Sequence, residues 1–263
     1  MRYHLLLFAL FLFPASSIVA VDDSATLPSA EEIVTRMAAH DLQRQSSIEG
    51  YVGMRRYVLE NEKLKKRAEM LVRVKGDPDG TKHFEVVSEE GWKSAHKHVL
   101  HKMLESESET SRPEHRTSAK LIPENYDFSV VGREEVAGRP AYVLEIRPKR
   151  NEKNLFRGRI WVDAEDYALA RAEGNPAKTP SLWTKSIHFV QVYWKSGSFW
   201  FPRSTQSVTE AHLFGTTEVN IEYFDYAPEG QGTSETALVS TEETHKSEKP
   251  KSSNWPEVTY EPR

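Results

Sequence analysis

The 263-residue sequence contains no cysteine. The chain therefore forms no disulfide, and it offers no thiol for a lipid anchor. An excess of positive charge is also missing, because the formal net charge is -4, and this argues against nucleic acid as a partner. There is no G-x-S-x-G segment of the kind that presents a nucleophilic serine. These absences disfavour disulfide-stapled proteins, nucleic-acid-binding proteins and serine hydrolases.

Long apolar runs are scarce as well, and the main one lies near the start of the sequence. Leu5 to Phe13 is unbroken, follows Arg2 and His4, and is succeeded by small residues up to Ala20. A positive start, an apolar segment too short to cross a bilayer and small residues before a polar stretch are typical of a secretory signal peptide. We predict a signal peptide at 1–20 and a linker at 21–28. The mature protein is then expected to be exported, soluble and not lipid-anchored, and periplasmic in a Gram-negative host.

The strongest strand pattern lies at 155–178. From Phe156 to Asp163 apolar and polar residues alternate, and a second alternation runs from Tyr167 to Ala172. A period of two is typical of a strand with one buried face, and the intervening 164–166 segment has the composition of a turn. The pattern predicts a hairpin, whose apolar face requires neighbouring strands.

The same alternation recurs along most of the chain. Further strands are predicted at 51–59, 68–75, 83–87, 126–134, 139–147, 186–194, 199–210 and 216–226. The connections are short and turn-like, as between sequential antiparallel neighbours. We therefore expect a mainly β (α+β) domain of about ten or eleven strands over residues 29–226.

Two helices interrupt this pattern. Ser29 is a candidate N-cap with Glu32 three residues later, which together form a capping box for a helix reaching about Ser46. A second amphipathic helix is predicted over 94–108, because apolar side chains recur there at helical spacing. The polar segment 109–120 is predicted as a mobile loop. The Ser-, Thr-, Glu- and Lys-rich segment 227–263 is predicted as a disordered tail.

The order of these elements, together with the GRIWVDAEDYALARAEG hairpin and the FWFPRSTQSVTE segment, resembles the LolA/LolB-like superfamily of outer-membrane lipoprotein-sorting proteins, which includes sensors of the RseB type. The resemblance covers roughly Ser29 to Tyr226, and its most specific part is the hairpin from Trp161 to Glu173. It implies an antiparallel sheet curled into an incomplete barrel, helices closing the concave side, an apolar cavity for acyl chains, no cofactor and no covalent chemistry. One departure is that the Arg-Pro dipeptide that carriers commonly have between the second and third strands is replaced by Gly-Asp-Pro-Asp-Gly at 76–80, which leaves the cargo open.

This resemblance, combined with strand period, yields candidate binding residues. The cavity candidates are Met70, Val72, Phe84, Val86, Tyr142, Leu144, Ile146, Ile160, Val162 and Phe189. The lid candidates, on the second helix, are Val99, Leu100, Met103 and Leu104. The alternative for each cavity candidate is that it fills a solid core. Strand period does not tell which face of the sheet is concave.

Other chemistry is weaker in the sequence. His98, His101 and Glu105 lie on one side of the second helix at spacings that suit zinc, but no fourth ligand lies nearby, and a solvated helix face is favoured. Paired carboxylates such as Glu89-Glu90 are candidates for acid–base catalysis. They lie in turns and at strand ends, where charge is expected for solubility, so catalysis is not favoured. The basic run 63–67 is interpreted as a solvated hairpin tip, with weak attraction to anionic headgroups as the alternative.

Two functions from different classes follow. The first is a carrier that binds lipid or the acyl chains of lipoproteins and passes them between membrane-associated donor and acceptor proteins of the envelope. The second is a sensor or interaction module of the same fold that binds a membrane-protein partner and transports nothing. Neither is an enzyme. Bound lipid in the purified protein distinguishes them, since only the carrier requires it.

Overall fold

Period-two alternation organises most of the chain into one antiparallel sheet. The computed structural model describes residues 27–47, 50–179, 184–197 and 199–229. The predicted signal peptide, nearly all of the linker and the tail beyond residue 229 lie outside the described residues. The strands are β1 (Tyr51–Asn61), β2 (Lys66–Gly76), β3 (Lys82–Gly91), β4 (Tyr126–Val136), β5 (Arg139–Pro148), β6 (Phe156–Asp163), β7 (Leu169–Pro176), β8 (Thr184–Ser196), β9 (Phe199–Ala211) and β10 (Gly215–Pro228).

The helices occupy two places in the chain. Helix α1 (Ala30–Ser47) precedes the sheet, and the others lie between β3 and β4. These are α2 (Lys93–Ala95), a π-helical turn (His96–Leu100), α3 (His101–Ser111), α4 (Pro113–Arg116) and a 3-10 turn (Thr117–Ala119). The predicted capping box is present in part, because the Ser29 Oγ accepts a hydrogen bond from the Glu32 backbone N–H at 3.1 Å.

The strand order explains how the sheet is built. It runs β3-β2-β1-β10-β9-β8-β7-β6-β5-β4, with every neighbouring pair antiparallel. Strands β3 and β4 are the two edges, and within the described residues they do not pair with each other. The sheet is therefore open, and the helical segment from α2 to the 3-10 turn, here called the helical link, joins its two edges. The predicted mainly β fold, an incomplete barrel of about ten antiparallel strands, is confirmed.

The register places one row of residues on a single face. Directly paired residues of antiparallel strands point to the same side. Successive pairs define a row made of Met70, Tyr57, Ile221, Thr205, Gln191, Ala172, Ile160 and Leu144. We call the side that carries this row the inner face. Both α1 and the helical link pack on it.

On β2, β1 and β10 the opposite, outer face carries charge, whereas on β5 and β6 it carries a buried apolar cluster of Ala141, Val143 and Trp161. Arg56 pairs with Glu69 at 2.5 Å and approaches Glu222 at 3.7 Å, across three adjacent strands. Exposed ladders of this kind keep one side of an antiparallel sheet hydrated while the other side is buried. The charge distribution thus agrees with the register on which face is covered.

The prediction of a mobile loop at 109–120 is wrong. Helix α3 continues to Ser111, and α4 begins with Pro113 at a position where proline is favoured in a first turn. Side chains tie this segment to β3, because the Ser108 hydroxyl donates to the Lys82 carbonyl at 3.0 Å and the Ser111 Oγ accepts from the Lys82 N–H at 2.9 Å. High polarity in this segment is typical of a loop, but here it belongs to helices that are exposed on one side.

Candidate functional site

The helical link and α1 cover two separate parts of the inner face. Under the link lies an apolar cluster formed by β1, β2, β10 and the helices, and under α1 lies another formed by β4 to β7. Only polar members of the register row lie between the two clusters. The residues predicted to line a cavity therefore lie mostly in two packed flanks, which are separated by a polar middle.

The flank under the helical link holds part of the predicted set. Met70 and Val72 are fully buried there, and Phe84 packs against the cluster. Val86 does not join it, since it lies on the edge strand β3 and is 36% exposed. These positions make the first two residues core members beneath the helices and leave Val86 at the rim.

The lid candidates are also mostly buried in this cluster, with one exception. Leu100 and Leu104 are buried in this cluster and Met103 packs against it, whereas Val99 is 37% exposed. The π-helical turn from His96 to Leu100 rotates the side chains away from a regular helical stripe. The spacing of the apolar residues predicts an ordinary α-helix with Val99 on its apolar face. The π-helical turn explains why Val99 is exposed instead.

The flank under α1 holds the remaining candidates. Ile33, Val34 and Met37 of α1 pack on this cluster. Four predicted cavity residues are buried there, and two more pack against them; in order these are Leu144, Ile146, Ile160, Val162, Tyr142 and Phe189. The cavity residues predicted from the sequence thus mostly share the inner face, but they belong to two different clusters.

A polar seam separates the flanks on β8 and β9. Thr205 shares a hydrogen bond with the Tyr223 hydroxyl at 3.0 Å, and Gln191 accepts one from the Tyr193 hydroxyl at 3.1 Å. Burial raises the pKa of both tyrosines. The seam lies at the centre of the sheet, between the two groups of helices, where the inner face carries no helix-packed cluster.

A buried charge network fastens the helical link to the sheet. The guanidinium of Arg55, whose side chain is 2% exposed, donates to both oxygens of Glu107 on α3, at 2.7 and 3.2 Å. It also donates to the hydroxyls of Tyr226 at 2.7 Å and Tyr57 at 3.2 Å. Lys82 adds a second cation, with its Nζ 2.7 Å from the same carboxylate. One carboxylate on the helix thus serves two cations on the sheet.

Aromatic rings enclose this arginine. Its guanidinium lies 5.1 Å from the ring centroid of Phe84 and 4.9 Å from that of Tyr223, within the range of cation–π attraction. Burial alone lowers the pKa of Arg55, but the charge of Glu107 raises it overall. Burial also raises the pKa of Tyr57 and of Tyr226, so both remain neutral hydroxyls that accept from the cation.

Sequence reasoning missed this network. Arg55 occupies an inner-face position in β1, in phase with the buried Tyr57 and Leu59. The signal was present, since a charged residue in phase with an apolar alternation must be paired when it is buried. Its partner Glu107 lies far along the chain, so the pairing itself was not readable from local spacing.

The histidines of the helical link do not form the zinc cluster considered above. His101 pairs with Glu89 on β3, and His96 contacts the Glu90 carbonyl oxygen at 2.9 Å. Glu105 pairs with Lys102 instead. Among the described residues, no three or more His, Asp or Glu side chains are arranged to hold a metal ion. In the same part of the chain, no helix has the length and apolar character needed to cross a membrane.

Comparison with known families gives one match to part of the chain. The MucB/RseB N-terminal domain matches residues 93–175, from the start of α2 almost to the end of β7. This supports the predicted resemblance to the LolA/LolB-like superfamily with its RseB-type members. A search of the curated proteins finds no match.

Several solved structures are distantly similar. A DUF1329 family protein from Desulfovibrio piger is 14% identical, with a TM-score of 0.40 over 81% of this chain and 100% of its own. A putative outer membrane lipoprotein-sorting protein domain from Vibrio parahaemolyticus is 14% identical, with a TM-score of 0.39 over 80% of this chain and 96% of its own. The Pseudomonas aeruginosa MucA/MucB complex gives 11% identity and a TM-score of 0.27 over 76% of this chain and 98% of the matched chain. At these values the structures carry no argument about function.

Proposed function

We propose that this protein is a periplasmic carrier that binds lipid or the acyl chains of lipoproteins against the inner face and hands them to an envelope partner. The observation that carries the proposal is the helical link, which covers an apolar flank of an open sheet and is fastened by the Arg55–Glu107–Lys82 network. This cover is held by side-chain packing, the ionic network and two serine hydrogen bonds to Lys82, rather than by continuous backbone pairing, so it can be displaced.

The energetics favour an exchange of one apolar contact for another. When the link lifts, the side chains of Leu100 and Leu104 leave the cluster that they share with Met70. An acyl chain entering beneath restores apolar burial at ~0.8 kcal/mol per methylene. The polar seam beside the flank keeps its hydroxyls hydrogen-bonded to tyrosines and so needs no cargo atoms as partners. Binding then requires no covalent step and no cofactor.

The test is native mass spectrometry with lipid extraction on mature protein purified from its own envelope, followed by uptake of a fluorescent fatty acid. The carrier is expected to retain phospholipid or acylated protein in near-stoichiometric amount. Thr205→Trp fills the seam on the inner face and is expected to lower fatty-acid uptake about tenfold. Gln206→Trp is the matched control, since the neighbouring residue faces outward and also loses one hydrogen bond, to Glu218 at 2.9 Å.

The opposite results would end the carrier proposal. A clean unliganded mass together with no uptake contradicts it. Equal loss of uptake in both tryptophan variants contradicts the assignment of the inner face, provided that urea unfolding shows both to be as stable as each other.

A second function is supported by a different observation. The edge strand β3 has a neighbour on only one side within the described chain, and its Val86 and Val87 are 36% and 37% exposed. An unpaired edge with exposed β-branched residues is suited to adding a strand from a partner protein. For this chain we propose a membrane-protein partner as the alternative role. Crosslinking through an introduced Val87→Cys, in a chain without other cysteines, tests it: a specific adduct in lipid-free protein favours the sensor.

A further inference from the structure

Two turns meet at one end of the sheet and form a continuous tip. The β1–β2 turn and the β9–β10 turn belong to adjacent hairpins, because β1 pairs with β10. The Lys63 Nζ donates to the Leu213 carbonyl at 3.0 Å, which joins the two turns directly. We call the six residues Lys63, Leu64, Lys65, Lys66, Leu213 and Phe214 the tip patch.

The tip patch exposes large apolar side chains. Leu213 is 57% exposed, Phe214 is 52% exposed and Leu64 is 37% exposed. Of the seven other large exposed hydrophobic residues in the described chain, Val86 and Val87 are adjacent on β3, and the remaining five have no sequence neighbour in this group. Exposing three large apolar side chains together at adjoining turns is unfavourable in water. Groups of this kind mark sites of interaction.

Positive charge surrounds these side chains. Within the described residues, Lys63, Lys65 and Lys66 have no carboxylate within ion-pair distance, whereas Arg67 is paired with both Glu60 and Glu69. Counting the three lysines as +3 and Glu62 as -1 gives the segment 62–66 a net charge of +2. The whole chain is negative at -4, so this charge is local to the tip.

The tip is held in shape before any partner arrives. Asn61, 2% exposed, donates to the Phe214 carbonyl at 3.0 Å and to the Thr217 hydroxyl at 2.7 Å. Its side-chain oxygen accepts from the Leu64 N–H at 2.8 Å. One buried amide thereby fixes both turns, so the apolar side chains are presented without loss of backbone freedom on binding.

The helical link begins at the same end of the sheet. Gly91 pairs with Ala68 at the start of β2, and the Trp92 N–H donates to the Arg67 carbonyl at 2.8 Å. The Lys66 ammonium lies 5.3 Å from the Trp92 ring centroid. A surface bound to the tip patch would therefore be next to the first turn of the cover.

We propose that the tip patch docks on the surface of an anionic lipid bilayer, with Leu64, Leu213 and Phe214 entering the headgroup region and the three lysines facing anionic headgroups. The combination of exposed apolar side chains with unpaired lysines is complementary to such a surface in both polarity and charge. A neutral protein groove would leave the lysines without counter-charge. Docking there places the start of the helical link at the membrane.

Vesicle co-sedimentation of the full chain tests the docking. Vesicles of phosphatidylcholine with one-third phosphatidylglycerol are expected to bind the protein, and binding is expected to weaken with added salt. The double variant L213S/F214S is expected to bind at least tenfold more weakly. The triple variant with Lys63, Lys65 and Lys66 changed to Gln is expected to lose most of the salt dependence.

Matched controls separate this surface from other exposed hydrophobic residues. Leu42→Ser, at a side chain 63% exposed on α1, and Val131→Ser, 48% exposed on β4, are expected to bind vesicles as the unchanged protein does. Binding of L213S/F214S equal to that of the unchanged protein, or equal binding to pure phosphatidylcholine, overturns the proposal. The result is independent of cargo binding, because a protein without acyl-chain uptake still either sediments with vesicles or does not.

Discussion

Arg55 on β1 and Glu107 on α3 are joined by two hydrogen bonds, from both terminal nitrogens of the guanidinium to both carboxylate oxygens. Bidentate pairs of this kind fix orientation as well as distance. The arginine side chain is 2% exposed while the carboxylate side chain is 34% exposed. The helix therefore contributes a partly exposed carboxylate, and the sheet contributes a buried guanidinium. Displacing the helix would expose this buried cation.

Removing the charge of Glu107 should destabilise the fold. In Glu107→Gln the Arg55 cation keeps its buried position without a counter-charge, and we expect the free energy of unfolding to fall by about 2 kcal/mol, below the full cost for a completely buried pair because the carboxylate is partly hydrated. Urea unfolding measures it. Glu105→Gln, on the same helix in the exposed pair with Lys102, is the control and should change stability by less than about 0.5 kcal/mol. Equal stability of the two variants would contradict the role assigned to Arg55.

The same carboxylate should give the fold a distinct acid sensitivity. Burial raises the pKa of Glu107, but Lys82 and Arg55 outweigh burial and hold it at about 2, below its ordinary 4.5. Since the folded-state pKa is lowered, the stabilisation is complete above pH 4.5 and disappears as pH falls towards 2. Comparing unfolding free energies of the unchanged protein and Glu107→Gln over that window isolates the effect. The difference between them should shrink with falling pH, and a constant difference would refute the assignment.

Asp163 should be a sensitive position of the β6–β7 hairpin. It is fully buried, receives two hydrogen bonds from Arg139 at 2.6 and 2.9 Å, and accepts the Asp166 N–H at 2.8 Å. Asp163→Ala leaves the Arg139 Nε and the Asp166 N–H without their acceptor, and we expect a loss of about 3 kcal/mol in thermal or urea unfolding. Glu165→Ala removes a partner of the same arginine that is 64% exposed, and should cost under about 0.5 kcal/mol. A comparable loss in both would show that the turn does not depend on the buried carboxylate.

Gly174 should not tolerate a side chain. It pairs with Gly158, and a Cβ at Gly174 would lie 2.1 Å from the Arg157 carbonyl oxygen, which belongs to the backbone and has no room to move. We expect Gly174→Ala to cost about 3 kcal/mol because the two strands must separate locally. Gly132→Ala, where a Cβ meets nothing within 4 Å, should be neutral within about 0.5 kcal/mol. Differential scanning calorimetry of the two variants decides it, and similar melting temperatures would contradict the close approach.

Local pattern was a reliable guide to the bounds of β6, although both faces of this strand are buried from Ile160 to Asp163. The alternation from Phe156 to Asp163 predicted β6 with its observed bounds, and the turn at 164–166 also agrees. Strand ends were less well predicted, since β3 extends to Gly91 through exposed glutamates that carry no alternation. Backbone hydrogen bonds to β2 keep those residues in the strand. Their own side chains carry no pattern that predicts this pairing.

Properties set by distant partners were not predictable from the sequence. Arg55 and the neighbouring Arg56 are identical in type, yet one is buried against Glu107 and the other lies in the outer-face ladder. The phase of the strand places them on opposite faces, but it does not identify the partner of either arginine. The division of the cavity candidates into two clusters has the same origin, because strand period assigns a face but not the position of a strand within the sheet.

The order of strands also has a consequence for how quickly the protein reaches its final form. Strands β1 to β3 form one run of sequential hairpins and β4 to β10 form another, and their one shared strand boundary is the pairing of β1 with β10. Each run is assembled from neighbours in the chain, whereas that boundary joins the first strand to the last. Closing it must await the synthesis of β10 and carries the largest loop-closure entropy in the sheet. We therefore expect refolding to show a slow step that is sensitive to substitutions at this boundary, such as Ile221→Val, and insensitive to matched ones in β5, such as Ile146→Val.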